Sequence, residues 1–233
     1  MTDANPTRGL PSRSPTSDLP QADAAFTPAL GRLVPARYLD LAVAMTRERL
    51  WRALTVAYVA PRPDEVIVDV GCGTGSLAAL LRSIEPGAHV VGVDPDPDVL
   101  TVARRKADGV VWHVGRGDAL VERLGAESAD TVVSTLVLHQ CPLAVKRAML
   151  AAAHAVLRPG GRLVIADYGR QRTTLMRAAF RLVQCIDGHA DTQPNADGVL
   201  PTLIAEAGFG DVREVEVVTT VTGSISVYVA LKE

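Results

Sequence analysis

Residues 66–76 read VIVDVGCGTGS, an apolar run that enters a glycine-rich turn, and no other segment restricts the fold of this chain as tightly. Val66, Ile67, Val68 and Val70 are β-branched, which suits a parallel strand covered on both faces, and Asp69 interrupts them near the strand's C-terminal end. Gly71, Gly73 and Gly75 then alternate with small residues. Glycine takes positive φ angles without steric cost, so such a turn lets a ligand lie against main-chain N–H groups where a helix begins. The pattern implies a nucleoside-type ligand.

Two ligand classes use a turn of this kind, and spacing separates them. The dinucleotide fingerprint G-x-G-x-x-G needs glycine at position 76, where this chain has Ser76. The run D-V-G-C-G-T-G that begins at Asp69 instead resembles the first motif of the class I S-adenosylmethionine-dependent methyltransferases. Asp94 closes the next apolar strand, expected over residues 89–93, at the place where a carboxylate meets a ribose diol. A nicotinamide-dependent oxidoreductase is the rival enzyme class. A non-catalytic S-adenosylmethionine-binding protein is the rival outside catalysis.

Composition narrows the partners. With 233 residues, 48% of them hydrophobic, the chain supports one α/β domain with a full core. A formal net charge of -2 disfavours nucleic acid, whose binders carry clustered basic surface. Cys72, Cys141 and Cys185 have no C-x-x-C spacing, which points to neither a disulfide framework nor a zinc site. No run approaches the roughly 18 apolar residues of a membrane span, and the N-terminus lacks the apolar core of a signal peptide, so a cytoplasmic location is expected.

Residues 1–24 hold four prolines among polar residues and are expected to be disordered. Residues 25–60 are expected to form an N-terminal helical lid, since apolar residues recur at helical spacing from Leu39 to Val56 ahead of Pro61 and Pro63. From 61 to 233 strands and helices alternate as in a doubly wound sheet. Strands are predicted at 66–70, 89–93, 110–114, 131–134, 162–166, 212–218 and 224–230. Helices are predicted at 76–84, 97–107, 142–157, 172–186 and 200–207. Two closing strands with no helix between them resemble the seven-stranded methyltransferase sheet, mostly parallel, whose last strand runs antiparallel.

Within that superfamily the chain is similar to the ubiquinone and menaquinone C-methyltransferase-like small-molecule group. The similarity rests on Trp51-Arg52, on Leu138-His139 and on Leu157-Arg158-Pro159-Gly160-Gly161. It implies methyl transfer from S-adenosylmethionine to a small, largely apolar acceptor by metal-free in-line displacement. A quinone-like carbon or a phenolic oxygen is favoured, and a lipid or natural-product amine comes second.

The same resemblance assigns the cofactor to Asp69, Gly71, Gly73, Gly75 and Asp94, with Asp118 and Ala119 beside the adenine and Ser134 on the fourth strand. It adds Arg47 as a partner for the methionine carboxylate and residues 172–198 as the wall of the acceptor pocket. His139, just beyond the fourth strand, is the candidate general base for a hydroxyl acceptor. Arg47 reads equally well as a solvated partner of Glu48, and His139 as a hydrogen-bonded structural histidine. Leu120-Val121-Glu122-Arg123-Leu124 departs from the family's usual turn, and a helical turn of different shape is expected there.

Overall fold

The computed structural model describes residues 47–233. The tail expected at 1–24, and the lid residues 25–46 with Tyr38 among them, lie outside the described residues.

Helix α1 (Glu48–Val59) buries Trp51, Thr55 and Val59, spaced four residues apart along one face. It stops at Ala60, which takes a left-handed φ of 41° and donates its N–H to Val56 O just before Pro61. Two long-range contacts pin it to the sheet edge: Tyr58 Oη donates to Glu216 Oε1 at 3.1 Å, and Arg47 Nη1 donates to Thr219 O at 3.2 Å.

The domain then runs β1 (Val66–Val70), α2 (Ser76–Ile84), β2 (His89–Asp94), α3 (Pro97–Lys106), β3 (Val111–Val114), α4 (Leu120–Leu124) and β4 (Ala129–Thr135). A short 3₁₀ turn (Leu138–Gln140) leads to α5 (Leu143–Val156), β5 (Leu157–Tyr168), α6 (Thr174–Asp187) and α7 (His189–Asp197). Helix α8 (Leu200–Glu206) and strands β6 (Gly210–Thr220) and β7 (Gly223–Leu231) complete it. The strand order is β3-β2-β1-β4-β5-β7-β6, and β7 runs antiparallel to both of its neighbours. This is the seven-stranded, mostly parallel sheet with an antiparallel last strand that the alternation of elements led us to expect.

Both faces are covered. One core joins Val68, Val132 and Leu163 of the sheet to Leu150 and Val156 of α5 and Leu203 and Ile204 of α8. The other joins Ile67, Val133 and Val164 to Trp51 of α1, Leu77 and Leu81 of α2, and Phe180 of α6. Burying such a side chain contributes about 1.5–3 kcal/mol, which explains why the strands read as unbroken apolar runs. Strand β1 lies between β2 and β4, so the chain reverses direction across the sheet there and leaves a crevice at the carboxyl ends.

Two segments differ from the expectation. Strand β5 begins at Leu157, five residues earlier, because Leu157 pairs with Ala129 while Gly160 N–H and Gly161 O bond the main chain of Lys232. Those bonds hold the Pro-Gly-Gly run in strand register. Helix α7 was not predicted at all, since its sequence is polar, lacks apolar periodicity and carries Pro194 inside it. Tertiary bonds fix it instead: Asn195 Nδ2 donates to Tyr168 O at 2.9 Å, and the buried Lys146 ammonium bonds Asp191 O and Asn195 Oδ1.

Candidate cofactor and acceptor site

The glycine turn between β1 and α2 is braced by β2. Gly71 and Cys72 donate to Val93 O at 2.8 and 3.2 Å, and Gly73 donates to Asp94 Oδ2 at 2.8 Å. Gly75 donates to Cys72 O at 2.9 Å. These N–H groups are therefore spent inside the protein, contrary to the expectation that they face a ligand. What the turn offers is space, and the three glycines differ in it. A Cβ on Gly71 would stand 2.3 Å from Val137 Cγ2, and one on Gly75 2.4 Å from the Trp112 ring; a Cβ on Gly73 would meet nothing within 4 Å. Gly71 and Gly75 allow packing, whereas Gly73 borders the open crevice.

Asp69, at the root of this turn, is fully buried; among the described residues neither carboxylate oxygen makes a hydrogen bond of normal geometry, and the N–H of Ala78 at the start of α2 is the backbone group that acts on it. Burial pushes its pKa up to about 7; nearby Arg52 of α1 pulls it down and Asp94 pushes it further up. An unsatisfied buried carboxylate costs several kcal/mol in its charged form, which is why burial favours the protonated acid here. Arg52 also has a buried Nε without a hydrogen bond, while its Nη1 pairs with Glu48 one turn earlier. The Trp51-Arg52 pair was legible as a motif, yet the electrostatic influence of Arg52 on Asp69 is a tertiary fact.

Asp94 reaches the same crevice and is 9% exposed. Its Oδ2 accepts from Gly73 N and its Oδ1 from Asp96 N, and burial raises its pKa against those two bonds. It braces the turn from the end of β2. The helix-capping role falls to Asp96, which accepts from Asp98 N at 2.8 Å. Asp118 is held by Arg116 through two bonds, Nε to Oδ1 at 3.0 Å and Nη2 to Oδ2 at 2.7 Å. That fork keeps Asp118 below the usual carboxylate range. Ala119 caps α4 and donates its N–H to Arg116 O. Ser134 is buried with Oγ donating to Val70 O at 2.8 Å, so it staples β4 to β1 rather than presenting its hydroxyl to the cleft.

His139 lies in the 3₁₀ turn after β4, 6% exposed. Its Nδ1 is 2.7 Å from Asp167 Oδ1 and its Nε2 is 3.4 Å from Asp187 Oδ2 of α6. Burial alone would lower its pKa, but the two carboxylates outweigh burial and raise it to about 9. Both ring nitrogens are engaged by carboxylates, which favours the charged ring, so the geometry supports a positioning role for His139 beside the general-base expectation. The two carboxylates come from distant stretches of sequence. Asp167 also accepts from the N–H groups of Val137 and Leu138, at 3.0 and 2.7 Å. Leu136 takes a left-handed φ of 55° to turn those amides inward, a conformation rare for a bulky residue. Beneath the turn Lys146 Nζ contacts Leu138 O and His139 O, and burial lowers its pKa. Tyr168 stacks edge-on to His139 at 4.9 Å, with its hydroxyl on Thr222 Oγ1.

Arg47, the residue expected at the methionine carboxylate, instead bonds the main chain of β6. Arg52 is the α1 cation beside the turn. Lys146 was not singled out from the sequence, Arg52 was legible only as part of the Trp51-Arg52 pair, and Asp167 only as a residue following the fifth strand at the ligand edge. The one signal for Asp167 was its position, immediately after a strand at the carboxyl edge, as with Asp69 and Asp94.

A doubly wound sheet with this crevice, a glycine turn and acidic residues at neighbouring strand ends defines a nucleoside-ligand α/β domain. A family model described as a methyltransferase domain matches residues 67–161, and the chain is similar there to S-adenosylmethionine-dependent methyltransferases of class I. The demethylmenaquinone methyltransferase of Thermus thermophilus is 35% identical over 120 residues, which cover 51% of this chain and 54% of that protein. The ubiquinone/menaquinone biosynthesis C-methyltransferase of Paracoccus denitrificans is 26% identical over 190 residues, covering 71% of this chain and 74% of that protein. The chain spans about half the length of several curated relatives that it matches. Among solved structures, a SAM-dependent methyltransferase of Thermotoga maritima shares the fold with a TM-score of 0.65, at 20% identity over 85% of this chain and 97% of that chain.

Proposed function

We propose that this protein is an enzyme that transfers a methyl group from S-adenosylmethionine to a small, largely apolar acceptor, a quinone-like carbon or a phenolic oxygen before a lipid or natural-product amine. The observation that carries the reading is Asp69, a buried carboxylate at the root of the glycine turn that makes no hydrogen bond of normal geometry among the described residues. It fits the ammonium of the donor's methionine end, with Arg52 beside it for the carboxylate. Asp94 suits the ribose hydroxyls and Asp118-Ala119 the adenine amino group. When bound, S-adenosylmethionine supplies a methyl group on a positively charged sulfur, open to in-line attack.

The remaining work belongs to the chain. Holding the reactants in line and excluding water is worth about 7–11 kcal/mol, and needs no metal. His139, bonded to Asp167 and Asp187 through its two ring nitrogens, positions the turn after β4 at the acceptor edge. The relatives named for menaquinone and ubiquinone biosynthesis support the apolar acceptor.

Calorimetric titration with S-adenosylmethionine, and with NADH as the control, tests the cofactor. Mass spectrometry of a cell extract incubated with the protein and methyl-labelled donor identifies the acceptor. Binding of NADH without binding of S-adenosylmethionine refutes the reading.

A further inference from the structure

Helix α6 has two faces of opposite use. Phe180 and Val183 are buried in the core, and Asp187 reaches His139 at the site. Leu175, Ala178, Leu182 and Ile186 follow at three- and four-residue spacing around the other side, a continuous helical stripe. Leu175 is 79% exposed, Leu182 57% and Ile186 50%. Single exposed leucines are ordinary, but three large apolar side chains aligned on one helix face mark a contact surface.

The charges on this helix select the occupant. Arg177 and Arg181 are exposed and flank the stripe, and the helix's one acidic residue, Asp187, is turned inward to His139. Pairing of α6 with α6 of a second copy would bring four arginines together along one seam with no carboxylate of α6 to offset them. An apolar strip with two arginines along one side, Arg177 steadied by Gln171 O, matches the boundary between acyl chains and anionic headgroups.

We infer that the outer face of α6 docks on an anionic lipid surface and that the acceptor enters the site from that surface. The docking itself stands on geometry and charge; the delivery of an acceptor rests on the proposed methyltransferase reading. The two fail separately, since docking is read without any methyl donor.

The full chain is sedimented with vesicles of phosphatidylcholine alone or with about one third phosphatidylglycerol. Cys185, exposed on the same stripe, carries an environment-sensitive fluorophore in a parallel sample. Sedimentation with the anionic vesicles and a blue shift of the label are expected, with neither on neutral vesicles. Arg177→Gln with Arg181→Gln should weaken partitioning roughly 30-fold at low salt. Leu175→Ser with Leu182→Ser should weaken it by about tenfold or more, with folding checked by an unchanged circular-dichroism spectrum. No association, equal association with both vesicle types, or a dimer in solution that Leu182→Glu dissolves would each overturn the inference.

Discussion

Replacing Asp69 by Asn should make the ligand-free protein more stable and the enzyme worse at its task. The carboxyl group ionises near pH 7 in the folded protein and near about 3.9 in the unfolded chain, so between those values the folded state holds the extra proton. Stability therefore falls as pH rises through this window. Three pH units of difference correspond to about 4 kcal/mol in full, of which about 2.5 kcal/mol falls between pH 5 and pH 8. Asp69 is completely buried, so solvent does not screen this cost. Urea unfolding of the wild type and Asp69→Asn at both pH values, without ligand, isolates the effect, because all other titrating groups cancel in the difference. The variant should gain about 2–3 kcal/mol on the wild type between pH 5 and pH 8. In calorimetry the same variant should bind S-adenosylmethionine about 10- to 150-fold more weakly, the equivalent of one charged hydrogen bond. A pH-independent difference would show that Asp69 is paired or wet, and unchanged donor affinity would place the ammonium elsewhere.

His139→Gln removes the cation between Asp167 and Asp187 and should cost about 3–5 kcal/mol at pH 6, read by chemical unfolding. Since the folded pKa of His139 is raised, its stabilisation is full below about pH 6.5 and is lost as pH rises through about 9, so the two proteins should converge near pH 10. Lys146→Met removes the ammonium from Leu138 O, Asp191 O and Asn195 Oδ1, leaving Leu138 O only the N–H of Cys141, and should lower Tm by on the order of 10 °C in a thermal melt. Gly71→Ala should damage stability more than donor binding, because its Cβ meets Val137 at 2.3 Å. Gly73→Ala should do the reverse, adding only about 1–2 kcal/mol of left-handed strain while placing a methyl group in the crevice. Melting curves and calorimetry on the same two variants separate these outcomes.

The sheet and the turn were legible because local sequence carries them. Val66, Val68 and Val70 declare a strand buried on both faces, and alternating glycines declare a turn that no side chain can fill. From such runs the sequence alone determined the α/β class and the seven strands. Tertiary structure decided what each site residue is. Asp69 makes no hydrogen bond of normal geometry, Asp94 braces Gly73, Ser134 staples two strands, and His139 is flanked by carboxylates 28 and 48 positions further along the chain. Helix α7 also exists only through its bonds to Lys146 and Tyr168, since its own residues have no apolar face to specify it. The physical reason is range: strand and turn preferences arise between neighbours in sequence, whereas protonation and hydrogen-bond satisfaction depend on burial and on charges that only folding brings within a few ångströms.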